Sequence, residues 1–322
     1  MFIKYISRFN RKLFHTNEIP LFPRITNPDQ ASNIIFKTLV SNEPCMIARY
    51  GATELMCIIN YLGVKKGRPN IIRYLLGLEE DWWWRKSSLE QIKQWSGFFP
   101  ATVQNVETYC DLMLKDSKYV DILISWLKDE YKLKEYLKTK TFIQGLFLDP
   151  FWSKTPWTKA LENKKVLVVH PFAELIESQY KNKRKFLFEN PDILPKFELS
   201  TIKAVQSLGG YNNEFKDWFE ALEYMKNNIN QYDYDVCLIG CGAYGFPLAA
   251  HIKRMGKKAV HMGGSLQLLF GIIGKRWEDP NYGSLELKKK GCYPQLINSY
   301  WVRPGEKEKP INAEQIESGC YW

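Results

Sequence analysis

"YDVCLIGCGAYGFPLAAHIKRMGKKAVHMGG", Tyr234 to Gly264, decides the fold class. An apolar run meets a glycine cluster, an amphipathic segment follows, and a second apolar run closes on Gly263 and Gly264. The order reads strand, turn, helix, strand. Gly240, Gly242 and Gly245 satisfy G-x-G-x-x-G in the context that gives the pattern meaning, after a strand and before a helix. A turn of this kind cradles phosphate on backbone N–H groups. A nicotinamide site also needs an acidic residue about 20 positions on to hold a ribose hydroxyl. Here that neighbourhood is Ala259, Val260, His261 and Met262, so no NAD is expected.

Outward from this stretch the alternation continues. "KKVLVVHPF" (Lys164–Phe172) reads as a buried strand and "AELIESQYKNKRKFLF" (Ala173–Phe188) as a helix. "FELSTIKAVQS" reads as a strand, "NEFKDWFEALEYMKNNI" as a helix, and "SLQLLFGIIGKRWE" (Ser265–Glu278) as a helix. Nearer the start, "PCMIARYG" is a strand, and "ATELMCIINYL" is a helix with Leu55, Ile58, Ile59 and Leu62 on one face. Repeated strand and helix imply an α/β fold: a Rossmann-like, mostly parallel sheet with helices on both faces. The expected organisation is a basic N-terminal arm over 1–30, one α/β domain over 31–302 with a mostly helical insertion from about 87 to 140, and an irregular tail over 303–322.

The chain has 322 residues, enough for a large core, and 45 basic against 35 acidic residues, a formal charge of +10. That balance favours an anionic ligand or surface, and is equally met by solvated lysines. Seven cysteines with no C-x-x-C pair signal neither a disulfide framework nor a zinc site, so a cytoplasmic protein is expected. No apolar run reaches membrane-spanning length. The opening "MFIKYISRFNRKLF" sets Phe2, Ile6, Phe9 and Leu13 at helical spacing against Lys4, Arg8, Arg11 and Lys12. Such an arm fits peripheral contact with an anionic inner membrane face, or packing on the protein's own body. "KNKRKFLF" (Lys181–Phe188) mixes lysines with phenylalanine, but a solvated helix side explains it better than nucleic acid, and no nucleic-acid partner is expected.

In open parallel sheets ligands bind beyond the carboxyl ends of the strands. That rule selects Arg49, Gly51 and Glu54 after the first strand, His170 after "VLVVH", Gly240, Gly242, Tyr244 and Gly245 at the glycine turn, and His261 and Gly263 after the next strand. Arg49 suits a bidentate grip on phosphate oxygens, or a pair with Glu54. Glu54 suits a helix first turn, a metal or a sugar hydroxyl. His170 and Asp149, the latter in "GLFLDPFW", are the candidate proton acceptors, each also readable as structural. Arg276 is a further candidate cation. With 11 tryptophans, "DWWWR" and "PFWSKTPW" are more readily core than stacking platforms.

At these residues the chain resembles a family. "MIARYGATEL" (Met46–Leu55) resembles the "RFGDGE"-type signature of bacterial GT-D-fold glycosyltransferases, and Val236–Gly264 resembles their glycine turn, helix and strand. "VLVVHPFAELIESQY", "AVQS" and "GGSLQLLFGIIGKRW" resemble segments of proteins from polysaccharide gene clusters. The resemblance spans roughly Cys45 to Trp277. It implies transfer of a sugar from a nucleotide-diphosphate donor to a glycan or lipid-linked acceptor in surface polysaccharide (capsule) synthesis, often with Mn²⁺ or Mg²⁺. Arg49 matches the signature arginine and Glu54 its second acid, the implied metal ligand; Ala52 replaces the first acid. Two other classes fit the same residues: an S-adenosylmethionine- or other nucleotide-dependent transferase, and a non-catalytic glycan-binding or scaffold protein.

Overall fold

The computed structural model describes residues 19–76, 78–207, 214–306, 308–309 and 319–322. The amphipathic pattern expected over Phe2–Leu13 lies outside them, as does much of the expected tail.

A seven-stranded, all-parallel sheet forms the centre, made of β1 (Cys45–Ala48), β2 (Ile122–Ser125), β3 (Thr141–Gln144), β4 (Lys165–His170), β5 (Glu198–Lys203), β6 (Val236–Ile239) and β7 (Lys258–His261). Their spatial order is β3-β2-β1-β7-β6-β4-β5. The central strands are apolar throughout because helices cover both faces. Side-chain alternation divides the core in two. Met46, Ala48, Leu123, Leu167, Val169, Cys237 and Ile239 point to one cluster, and Cys45, Ile47, Ile124, Val166, Val168, Leu238 and Val260 to the other.

The first face is covered by α2 (Ala52–Lys66), α4 (Lys86–Ser96), α5 (Val103–Ser117), α7 (Trp218–Asn230) and α8 (Gly245–Arg254). The second is covered by α1 (Pro28–Val40), α6 (Ala173–Lys183) and the single turn α9 (Leu266–Leu269). A short helix α3 (Ile71–Leu75) sits outside these layers. Local chemistry starts several of them: Asn27, Thr102 and Asp217 each accept an N–H of the first turn, and Pro28 occupies N1 of α1.

Two parts differ from the expectation. The span 87–140 is no appended insertion, since α4 and α5 follow α2 and α3 in the crossover from β1 to β2 and carry Ile92, Val106, Tyr109 and Met113 into the core. β2 lies inside that span. It is a four-residue strand hidden between helical patterns. The run Ser265–Glu278 is not one helix. It turns once and stops at Gly271, whose φ of +67° takes it out of the helical region and where a Cβ would lie 2.4 Å from Leu187 Cδ2. A 3₁₀ turn, Lys275–Glu278, then carries Arg276.

Topology sets the place of the site. β4 continues into α6 on one face, whereas β6 continues into α8 on the other. Neighbouring strands whose connections leave on opposite faces open a crevice at their carboxyl ends. At the far edge, Ile25 pairs with β3, donating to Phe142 O at 2.8 Å and accepting from Gln144 N at 3.0 Å. Among the described residues no helix is long and apolar enough to cross a membrane.

Candidate functional site

A cleft of about 560 Å³ opens at the carboxyl ends of the strands. It is lined by Arg49, Gly51 and Glu54 after β1, His170 after β4, Gly240, Gly242 and Tyr244 after β6, and His261 and Gly263 after β7; Arg276 completes the set. Gly245 and Asp149 are not part of this lining. Arg49 and Arg276, 227 residues apart in sequence, thus reach one hollow.

The β1 turn supplies charge. Arg49 leaves the strand tip half-buried, its guanidinium stacked over the Trp126 ring at 4.7 Å from the centroid. Trp126 is itself fixed: its indole N–H donates to Tyr50 O at 2.9 Å, and a Cβ on Gly145 would lie 2.7 Å from Trp126 Cβ. Glu130 is fully buried behind it and accepts the Trp126 and Leu127 N–H groups. Burial raises the Glu130 pKa, and the Arg49 charge works against that. Glu54, in the first turn of α2, folds its carboxylate back over Gly51, where a Cβ would lie 1.9 Å from Glu54 Oε2. Gly51 therefore keeps room for a buried carboxylate at the cleft wall.

The β6 turn supplies backbone. Gly242, with φ +56°, opens a 3₁₀ turn, Gly242–Tyr244, that runs into α8. The first hydrogen bond of the turn is donated by Tyr244 N, so the Gly242 and Ala243 N–H groups precede it, at the positive end of the α8 dipole. A Cβ on Gly242 would meet only Ser96 O, at 3.5 Å. The other two glycines are filled by neighbours. A Cβ on Gly240 would lie 2.6 Å from Gly263 O and 2.9 Å from His170 Cδ2, and one on Gly245 only 2.3 Å from His261 Nε2. Tyr244 is an anchor: its ring stacks on Trp218 at 5.0 Å, and its hydroxyl meets Ser207 Oγ at 2.9 Å.

Both strand-tip histidines are neutral. Burial holds the His170 pKa down to about 3. Its Nδ1 accepts from Phe172 N at 3.0 Å, which puts the neutral ring's proton on Nε2. The geometry fits a hydrogen-bond donor rather than the proton acceptor expected of it. His261 is likewise held down to about 3, by burial first and by the Arg49 charge second, against a weaker opposing pull from the Arg49 main chain. Its Nδ1 is buried and makes no hydrogen bond among the described residues.

Asp149 lies outside the cleft lining and is 5% exposed, accepting from Tyr293 OH at 2.6 Å. Burial raises its pKa, with Tyr293, Ser265 and Arg49 opposing. The Tyr293 bond holds it as a structural carboxylate behind the wall. Arg276 packs over the Tyr321 ring at 4.9 Å and donates through Nη2 to Cys320 Sγ at 2.9 Å. Tyr321 and Trp322, in the span expected as irregular tail, are thus part of the cleft wall, and a Cβ on Gly264 would meet Tyr321 Cε1 at 2.2 Å.

Several lining residues carried no sequence signal: Arg24, Trp95, Trp126, Gln144, Tyr282 and Tyr321. Among the described residues no group of three or more His, Cys, Asp or Glu side chains converges on a metal-sized space. Glu54 offers a single carboxylate, and the nearby Ala52 has no side-chain ligand atom. This donor set does not fit a protein-held Mn²⁺ or Mg²⁺. Compared with protein-family models, curated proteins and solved structures, the chain matches none.

Proposed function

We propose that the cleft binds the diphosphate of a nucleotide-sugar donor and that the protein is a glycosyltransferase acting on a glycan or lipid-linked acceptor in polysaccharide synthesis. The observation that carries this reading is the convergence of Arg49, Arg276 and the Gly242 turn on one hollow at the topological switch point. Guanidinium groups and helix-start N–H groups are complementary to a departing diphosphate, whose charge grows as the glycosidic bond breaks. Neutral His170 adds an Nε2–H donor without the cost of burying a further charge. The cleft lining holds two carboxylates, Glu54 in its buried wall and Glu286 at its exposed rim. Glu54 is the better placed to accept the proton of the attacking hydroxyl as the new C–O bond forms and the bonding pair of the old one passes to the diphosphate.

Calorimetric titration of the full chain with UDP, GDP, CMP and S-adenosylmethionine, each with and without Mn²⁺, tests the reading. Saturable binding of a nucleoside diphosphate is the expected result. Preference for S-adenosylmethionine would replace it with methyl transfer. Binding of glycans with no nucleotide would leave a non-catalytic recognition protein, which the Ala52 replacement favours. Dependence on Mn²⁺ would return the metal role to Glu54 together with the diphosphate oxygens.

A further inference from the structure

"KNKRKFLF" is the solvated helix side expected of it at Lys181 and Lys183, and Phe188 packs inward, but Phe186 does not. α6 ends at Lys183 and a 3₁₀ turn, Arg184–Phe186, follows. Phe186 is 53% exposed and Tyr300 40% exposed. The two rings stack on each other with centroids 4.9 Å apart and planes 23° apart, and the Lys183 ammonium stands over Tyr300 at 5.7 Å. This step is built. Asn298 donates through Nδ2 to the carbonyls of both Phe186 and Leu187 at 3.1 Å, and its Oδ1 accepts from Tyr300 N at 2.9 Å. Trp301 adds an indole N–H bond to Leu187 O at 3.3 Å. One asparagine therefore ties two distant segments so that two apolar rings stay in water.

Charge surrounds the step. Lys181, Lys183 and Lys185 are exposed, and with Arg184 they make no ion pair among the described residues. The acids of α6 are engaged elsewhere, Glu174 with Lys203 and Glu177 with Thr201. Beside the step is a second hollow, of about 260 Å³, lined by Arg184, Lys185, Phe188, Asn190, Pro191 and Leu194. Cations and an amide on an apolar floor suit an anionic head group with hydrocarbon attached.

We propose that this surface docks the protein on an anionic phospholipid bilayer, with Phe186 and Tyr300 entering the interface and Lys181, Lys183, Arg184 and Lys185 meeting the head groups. The stacking argues for a bilayer over nucleic acid. A base needs a free ring face; Tyr300 is engaged by both Phe186 and Lys183 and one face of Phe186 by Tyr300, whereas interfacial insertion needs only ring edges and area. The proposal stands apart from the transferase reading, because it concerns binding and not turnover.

The test is co-sedimentation of the full chain with phosphatidylcholine vesicles, with and without phosphatidylglycerol. The parent binds the anionic vesicles only, and less as salt rises. Reversing charge together at Lys181, Lys183 and Lys185 (each Lys→Glu) lowers the partition by on the order of a hundredfold. Phe186→Ser lowers it about tenfold. Both variants keep the parent circular dichroism spectrum, since the altered side chains are exposed. Triple-variant binding equal to the parent's would overturn the proposal and leave the N-terminal arm as the contact, and equal binding to neutral vesicles would overturn docking through charge altogether. Tighter binding to single-stranded RNA than to anionic vesicles at matched salt would overturn it in favour of nucleic acid.

Discussion

The turns after β1 and β6 both line the cleft and look alike in sequence, each an apolar strand running through glycine into a helix. They work differently. The β1 turn puts charged side chains into the hollow, Arg49 and Glu54, and uses Gly51 to make space for one of them. The β6 turn has no charged side chain, and two glycines of its G-x-G-x-x-G are notches filled by the neighbouring strand tips, His170 with the Gly263 carbonyl at Gly240 and His261 at Gly245. Only Gly242 is left with open space and a positive φ. A glycine signature can therefore record packing between strand tips as much as contact with phosphate, and the two uses separate residue by residue.

The largest expected effect tests whether the notches need neutral rings. His170 and His261 have folded-state pKa values of about 3 against an ordinary 6.5. The unfolded chain takes up their protons first, so stability falls as pH drops from about 6.5 toward 3, by at most about 1.4 kcal/mol per pH unit for each ring. Asp149 and Glu130, whose pKa values burial raises, work in the opposite direction as they protonate. Chemical denaturation between pH 7 and 5 isolates the imidazoles if His170→Gln and His261→Gln are compared with the parent. An unchanged slope in both variants means the rings are not buried neutral.

Next in size is Gly245→Ala, which forces a methyl against His261 and is expected to cost about 1–3 kcal/mol. Pairing it with His261→Ala in a double-mutant cycle recovers much of that loss if the notch is the reason for the glycine. Arg49→Ala makes the contrasting case. Donor affinity measured by calorimetry falls by about 1.5 kcal/mol or more while the melting temperature changes little. An equal loss of stability and affinity would erase the distinction between the two turns. The smallest effect is Gly242→Ala, about 1–2 kcal/mol from the left-handed backbone alone. Weakened diphosphate binding beyond that strain assigns the Gly242 N–H to the ligand.

Much of this arrangement was legible in the residues because β1, β4, β6 and β7 are short apolar runs closed by glycine, histidine or arginine, and polar groups at strand tips converge in any parallel sheet. β2 was not legible, since a buried run of four residues is too short to show a period of its own and helical periodicity surrounds it. Ser265–Glu278 misled for a related reason: a continuous apolar run is buried in any conformation, so periodicity does not report the break that Leu187 and Gly271 impose. Trp126 and Tyr321 reach the cleft from loops whose positions depend on long-range packing. Asp149 shows the converse, a carboxylate in an apolar setting that accepts a hydrogen bond from a tyrosine 144 residues away.

The pairing of Ile25 with β3 bears on how copies of the chain meet in solution. Parallel sheets end in margins of unmet N–H and C=O groups, which recruit strands from other molecules. On the β3 side Ile25 takes up two of those groups, Phe142 O and Gln144 N–H. On the β5 side, where the described residues add no further strand, Glu198 and Lys203 bracket the exposed rung with opposite charges. Sheet extension is thus hindered at the β3 border, where backbone already meets backbone, whereas at the β5 border an antiparallel second copy would set Glu198 of one molecule against Lys203 of the other.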